Sequence, residues 1–167
     1  LGMQARGSLA LPAGSGKLFV GNGIAYVGAG NNIQGGFVTV DVSNPDALAL
    51  LSGVDAANVQ GHAIAANGSG LAVAVGTLRG PRGEAIYGID VLDVRDPGRT
   101  DQFLTGFTLP AAPSSVAIGA GIAFVADGIG GLQVINYLPF DNKGVAPTAT
   151  LAITTADADP NTPGFQA

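Results

Sequence analysis

Two short patterns recur three times along the chain in the same order, and they restrict the fold more than any other feature. The first is a glycine, an aliphatic residue, an alanine and two apolar residues, at 23–27, 70–74 and 121–125. The second is an aliphatic residue, an aspartate, a valine and, three residues later, a proline, at 40–45 and 92–97. At 135–139 the pattern is degraded, with asparagine in place of the aspartate. Equivalent positions lie 43 to 52 residues apart. Such a period is typical of proteins built by stacking one structural unit on the next.

Each unit reads as a set of short strands separated by turn residues. In the first unit, apolar runs at 18–20, 24–27 and 37–42 are followed by a weaker run at 47–54. Asn22 and Gly23 favour a hairpin turn between the first two runs. A single four-stranded sheet cannot bury both of its faces, whereas sheets arranged around a common axis can. We therefore predict an all-β fold of the β-propeller type, with four-stranded blades. A β-sandwich and a β-solenoid remain as alternatives.

About three blades and two partial ends are predicted, so the ring is expected to be incomplete. Residues 1–16 are predicted to end a preceding blade, and 17–60, 61–113 and 114–142 to form three blades within a region 1–142. The remaining blades, neighbouring domains or identical chains would complete the ring. Residues 143–167 are predicted to be a linker and a strand, at 147–154. This strand either joins the last blade or begins an immunoglobulin-like module.

Composition excludes several classes of function. The seven basic residues are mostly isolated and the formal net charge is −5, whereas nucleic-acid binding needs clustered positive charge. No apolar run approaches the roughly 20 residues that span a bilayer, so we expect no membrane insertion. Cysteine is absent, which excludes disulfides and thiolate metal sites. An extracellular or cell-surface location agrees with the absence of cysteine.

The segment 116–136 resembles a unit of the LVIVD-repeat family, which has the form VAV-x-G-x-x-AYVADG-x-x-GLQVIDVSDP. Residues 41–45 and 93–97 are similar to the DVSDP turn of that family, and the resemblance covers about residues 1–140. It implies a propeller in a secreted or surface-anchored bacterial or archaeal protein. It implies no catalytic residues, because the family has no uniform activity. The middle unit departs most, since 76–87 replaces the ADG-x-x-GL segment.

Four residues are candidates for ligand binding. His62, which is the single histidine, stands where the innermost strand of a blade would begin, and could face a central channel. Arg79, Arg82 and Glu84 lie in the middle unit, where the spacing of the two patterns indicates five to eight additional residues. Arginines on such a loop could bind a carboxylate or sulfate group. The alternatives are a half-exposed strand residue for His62 and a tolerated insertion for the loop.

Acidic residues suggest mainly structural roles. Asp41 and Asp93 recur at matched positions before a turn, with Asn136 as the third equivalent, and we expect them to accept hydrogen bonds from backbone N–H groups. Asp157, Asp159 and Asn161 alternate as oxygen ligands, which would suit calcium, although a solvated linker is the simpler explanation. We therefore predict no cofactor, with calcium as the one alternative.

These observations favour a non-catalytic structural or recognition module of an extracellular or cell-surface protein, whose loops bind a protein or a glycan. One alternative is a portion of a propeller hydrolase or lyase with further catalytic residues elsewhere. An enzyme should gather His62 and two or more carboxylates around one pocket. The other alternative is a filament or sheath subunit, whose strand edges would be completed by identical chains.

Overall fold

Three antiparallel sheets make up the described part of the chain. The computed structural model describes residues 2–12, 16–30, 36–52 and 59–141. Sheet 1 contains β1 (Leu18–Gly21), β2 (Ile24–Gly28), β3 (Phe37–Asp41) and β4 (Ala49–Ser52) in this spatial order. Sheet 2 contains β5 (Gln60–Ala66), β6 (Leu71–Arg79), β7 (Ala85–Asp93) and β8 (Phe103–Leu109). Sheet 3 contains β9 (Ser115–Gly119), β10 (Ile122–Ala126) and β11 (Leu132–Asn136).

The all-β prediction is confirmed, with two differences in detail. Sheet 3 has three strands within the described residues, where four-stranded units were predicted. Two single helical turns were not anticipated: a 3₁₀ turn at Gly128–Gly130 and the helix α1 at Leu138–Asp141. Both are too short to show a helical period in the sequence. The predicted strand at 147–154 lies outside the described residues.

The same corner closes each of the three sheets. In every sheet a glycine with positive φ precedes the second strand, and its carbonyl oxygen accepts a hydrogen bond from the residue that follows the third strand. The donor-to-acceptor distance is 2.8 Å for Val42–Gly23, Val94–Gly70 and Tyr137–Gly121, and the three glycines have φ values of 76°, 95° and 77°. The recurring sequence patterns therefore correspond to one recurring backbone geometry.

Apolar side chains pack between consecutive sheets. One face of β6 contributes Ala72 and Ala74 to a cluster that Tyr26 and Phe37 supply from sheet 1. The opposite face of sheet 2 packs against sheet 3. The main buried residues of this second cluster are Leu71, Val73, Val75, Ile89, Val91, Ala123 and Val125. Sheet 2 is therefore covered on both faces, as its apolar strands require.

Glycines allow the backbones of sheets 1 and 2 to approach closely. A Cβ atom on Gly28 would lie 2.5 Å from the Gly61 carbonyl oxygen, and one on Gly61 would lie 2.6 Å from that of Gly36. The N–H of Gly30 donates a hydrogen bond of 2.8 Å to the Gly61 carbonyl, and the N–H of Lys17 donates one of 2.8 Å to the His62 carbonyl. Strand β5 lies against β1 and β2 on one side and against β9 on the other.

The stretch at residues 2–12 crosses the outer face of sheet 1. Leu11 packs there against Ala25, Val38 and Val40. Arg6 forms an ion pair with Asp46, in which its Nε donates to Oδ1 over 2.7 Å. The stretch does not cover every apolar residue of sheet 1, and Leu18 is among those that remain exposed.

Candidate functional site

A hairpin of the middle sheet projects beyond its neighbours. Strands β6 and β7 are each nine residues long, whereas their equivalents in sheets 1 and 3 have five. Pairing with β5 ends at Thr77 and pairing with β8 ends at Tyr87. The pairs Leu78–Ile86 and Arg79–Ala85 therefore extend, by about 7 Å, past the flanking strands. The additional residues that we predicted in a loop are confirmed, but much of this loop is strand.

A compact turn closes the hairpin. The N–H of Gly80 donates to the Glu84 carbonyl over 2.8 Å, and the N–H of Gly83 donates to the Gly80 carbonyl over 2.9 Å. The Arg82 N–H donates to the Glu84 carboxylate over 2.9 Å. Glu84, which we predicted as a ligand-binding residue, therefore orders the turn with one of its oxygens.

The two arginines of the hairpin tip are open to solvent. Arg79 and Arg82 are exposed, and neither forms an ion pair with any residue that the structure describes. By contrast, Arg95 is paired with Asp93 and Arg99 with Asp101. The tip thus presents two guanidinium groups with free donors, and such groups bind carboxylate and sulfate oxygens in a bidentate manner.

His62 lies beside a separate open cavity at the same end of sheet 2. The cavity has a volume of about 530 Å³ and is lined in part by Lys17, His62 and Ser114. The Nδ1 atom of His62 lies 3.3 Å from the Pro113 carbonyl oxygen, and its Nε2 atom is buried with no hydrogen-bond partner within the described ranges. Arg79, Arg82 and Glu84 do not line this cavity, so His62 and the hairpin tip are two separate candidate sites.

The recurring turn residues, two aspartates and one asparagine, have the structural role predicted for them. Asp41, Asp93 and Asn136 each accept a hydrogen bond from the backbone N–H two residues later. The distances are 2.9, 3.1 and 3.0 Å, respectively. These bonds stabilise the corner that closes each sheet. Hydrogen bonds from the side chain and then the backbone N–H of Ser43 lower the pKa of Asp41 below its ordinary value.

Asp90 carries a buried carboxyl group and was not among the predicted site residues. It lies on β7 with its side chain almost fully buried on the face toward sheet 1. Burial raises the pKa of Asp90 from 3.8 to about 6, against the opposing effect of a hydrogen bond from the Val59 N–H. Its Oδ2 atom has no partner among the described residues. The signal was a single acidic residue in the apolar run 89–92.

The predicted calcium ligands Asp157, Asp159 and Asn161 lie outside the described residues. Within the described ranges, no group of three or more histidine, aspartate or glutamate side chains is placed to hold a metal ion. Across those same ranges, no helix has the length and apolar character needed to cross a membrane.

No family model matches this chain, and no curated protein sequence matches it. Among solved structures, the chain is similar to the computationally designed Ika4 protein, which was determined by crystallography. The two share 13% sequence identity, the alignment covers 81% of this chain and 99% of that chain, and the TM-score is 0.37.

Proposed function

We propose that this chain is a non-catalytic recognition module of an extracellular or cell-surface protein, with propeller-type blades that carry a binding hairpin. The observation that carries this proposal is the projecting tip with the exposed guanidinium groups of Arg79 and Arg82. A rigid sheet scaffold with one elongated hairpin is a common arrangement for binding sites. The tip is basic although the whole chain has a formal net charge of −5.

The propeller-type arrangement is supported by the repeated corner and by the packing of the sheets. Each sheet buries one face against the next. The first strand of sheet 2 contacts the first strands of sheets 1 and 3. First strands that lie near one another are what blades arranged around an axis require, because the innermost strands meet there.

The chemistry of the tip indicates the class of ligand. Two guanidinium groups with free donors favour planar or tetrahedral oxyanions. We therefore infer that the partner carries carboxylate or sulfate groups, as acidic glycans and acidic protein segments do. Binding of this kind should weaken as salt concentration rises, because exposed charges are screened.

A glycan array with uronic-acid and sulfated glycans tests this proposal. The wild-type chain should bind acidic glycans, and the double variant Arg79→Ala/Arg82→Ala should lose at least tenfold in affinity. The double variant Arg95→Ala/Arg99→Ala is the matched control: it removes the same charge from arginines that already have acidic partners. Equal losses in both variants would show that net charge, and not the hairpin tip, governs binding. If the array shows no binding, the second probe is an acidic peptide of aspartate and glutamate. This peptide should bind with the same dependence on Arg79 and Arg82. Failure of both probes contradicts the proposal.

A further inference from the structure

Sheet 3 exposes an apolar face that is buried in the other two sheets. The pairing register makes Phe124 of β10 equivalent to Tyr26 of β2 and Val73 of β6. Tyr26 and Val73 are 7% and 0% exposed, whereas Phe124 is 41% exposed. Leu132 of β11 is 63% exposed, whereas its counterparts, Phe37 of β3 and Ile89 of β7, are buried. Tyr26 and Val73 are covered because another sheet follows theirs.

Sheet 1 exposes the opposite kind of face. Its Leu18 is equivalent to Ile64 of β5 and Val116 of β9. Ile64 is 3% exposed and Val116 is half-buried at the contact with the preceding sheet, whereas Leu18 is 64% exposed. Val20 is exposed in the same way. Ala25, Val38 and Val40 on this face are already buried, so the apolar surface that sheet 1 leaves open is that of β1. The described sheets therefore end in two unlike apolar surfaces, each of the type that covers the other within the molecule.

We propose that a second copy of this chain packs the outer face of its sheet 1 against the outer face of sheet 3, head to tail. This inference rests on the propeller-type stacking in the proposed function and names its partner. The new contact would repeat the two contacts already present between sheets 1 and 2 and between sheets 2 and 3. The occupant is a second copy because the complementary face belongs to this same chain.

The stretch at residues 2–12 is compatible with this packing. Its Leu11 contacts Ala25 on the outer face of sheet 1. Leu109 and Ala123 follow Leu11 and Ala25 at the same offset of 98 residues, and both lie inside the buried cluster between sheets 2 and 3. A leucine at this position therefore belongs to a contact between two sheets, and the stretch leaves Leu18 and Val20 of β1 open to the second copy.

The proposed interface is heterologous, because two different surfaces meet. Such an interface closes into a ring when the rotation between copies permits it and extends as a filament when it does not. Exposed apolar side chains such as Phe124 and Leu18 also favour association, because burial removes them from water.

Sedimentation velocity on three variants tests the inference. Phe124→Asp removes the sheet 3 surface, and Leu18→Asp removes the sheet 1 surface. Wild-type chain should sediment at twice the monomer mass of 16.4 kDa or more, whereas each variant alone should be monomeric. An equimolar mixture of the two variants should form a one-to-one dimer, because each retains the surface that the other lacks. This gain of association is a result that a misfolded variant cannot produce.

Phe103→Asp is the matched control, because Phe103 is 44% exposed but lies on the outermost strand of the middle sheet. It should associate like the wild-type chain. A monomeric wild-type chain at all concentrations, association of either single variant, failure of the mixture, or a monomeric control would each overturn the inference. Binding of acidic glycans by the monomeric Phe124→Asp variant would show that the proposed function stands even where self-association fails.

Discussion

Replacement of Asp90 by asparagine should stabilise the protein in a pH-dependent manner. Burial raises the pKa of the Asp90 carboxyl group from 3.8 to about 6 in the folded chain. The folded state therefore holds a proton that the unfolded state releases between these two pH values. The stability contributed by the protonated form is complete below about pH 3.8 and is lost as pH rises through about 6.

The magnitude follows from the two pKa values. One pH unit of difference corresponds to about 1.4 kcal/mol, so the ionised wild-type chain loses about 3 kcal/mol of stability above pH 7. An asparagine side chain does not ionise, and its amide oxygen still accepts the hydrogen bond from the Val59 N–H. The variant should therefore match the wild-type stability near pH 4 and exceed it by about 3 kcal/mol at pH 8.

Urea denaturation at pH 4, 6 and 8 measures this difference, with the slope of the transition checked for two-state behaviour. Asp41→Asn is a matched control with the opposite sign. Hydrogen bonds lower the pKa of Asp41, so its contribution to stability is lost as pH falls, and asparagine already occupies the equivalent position at Asn136. A stability difference for Asp90→Asn that stays constant from pH 4 to pH 8 would refute the reasoning.

Three further predictions concern the packing and the corners of the sheets. Gly61→Ala should destabilise the protein by about 1–3 kcal/mol, because the added methyl group would lie 2.6 Å from a backbone oxygen. Urea denaturation measures this loss, with Gly68→Ala as the control, because no atom lies within 4 Å of a Cβ at Gly68. Ile89→Ala should cost about 2–5 kcal/mol in the same assay because the side chain is 1% exposed, whereas Leu132→Ala, at the equivalent position in sheet 3, should cost far less in the monomeric state. Asp93→Ala should lower the thermal midpoint by removing about 1 kcal/mol of hydrogen bonding to the Arg95 N–H, and Asp93→Asn should restore most of it; equal midpoints for both variants would contradict the assigned role.

The repeat could be predicted from the sequence because its signals are local. Glycines such as Gly23 and Gly70 are needed where φ is positive, and Asp41 and Asp93 are needed where a turn N–H requires an acceptor. These requirements act within a few residues, so they leave a readable pattern along the chain. The all-β class followed directly from that pattern.

Other features depend on contacts between distant residues, and the sequence does not display them. Asp90 and its pKa depend on the burial that sheet 1 provides. The projection of the hairpin tip depends on where β5 and β8 stop pairing with their neighbours. The extension of β6 and β7 as strands was not evident either, because Thr77, Arg79 and Gly80 read as a loop in the sequence.

The identical corner in each sheet also bears on how the chain reaches its native state. Each corner hydrogen bond joins residues fewer than thirty positions apart, such as Gly121 and Tyr137, so its closure entropy is modest. None of the three requires another sheet to be present before it forms. We therefore expect the chain to have three equivalent nucleation sites, with folding started at any of them and propagated to its neighbours.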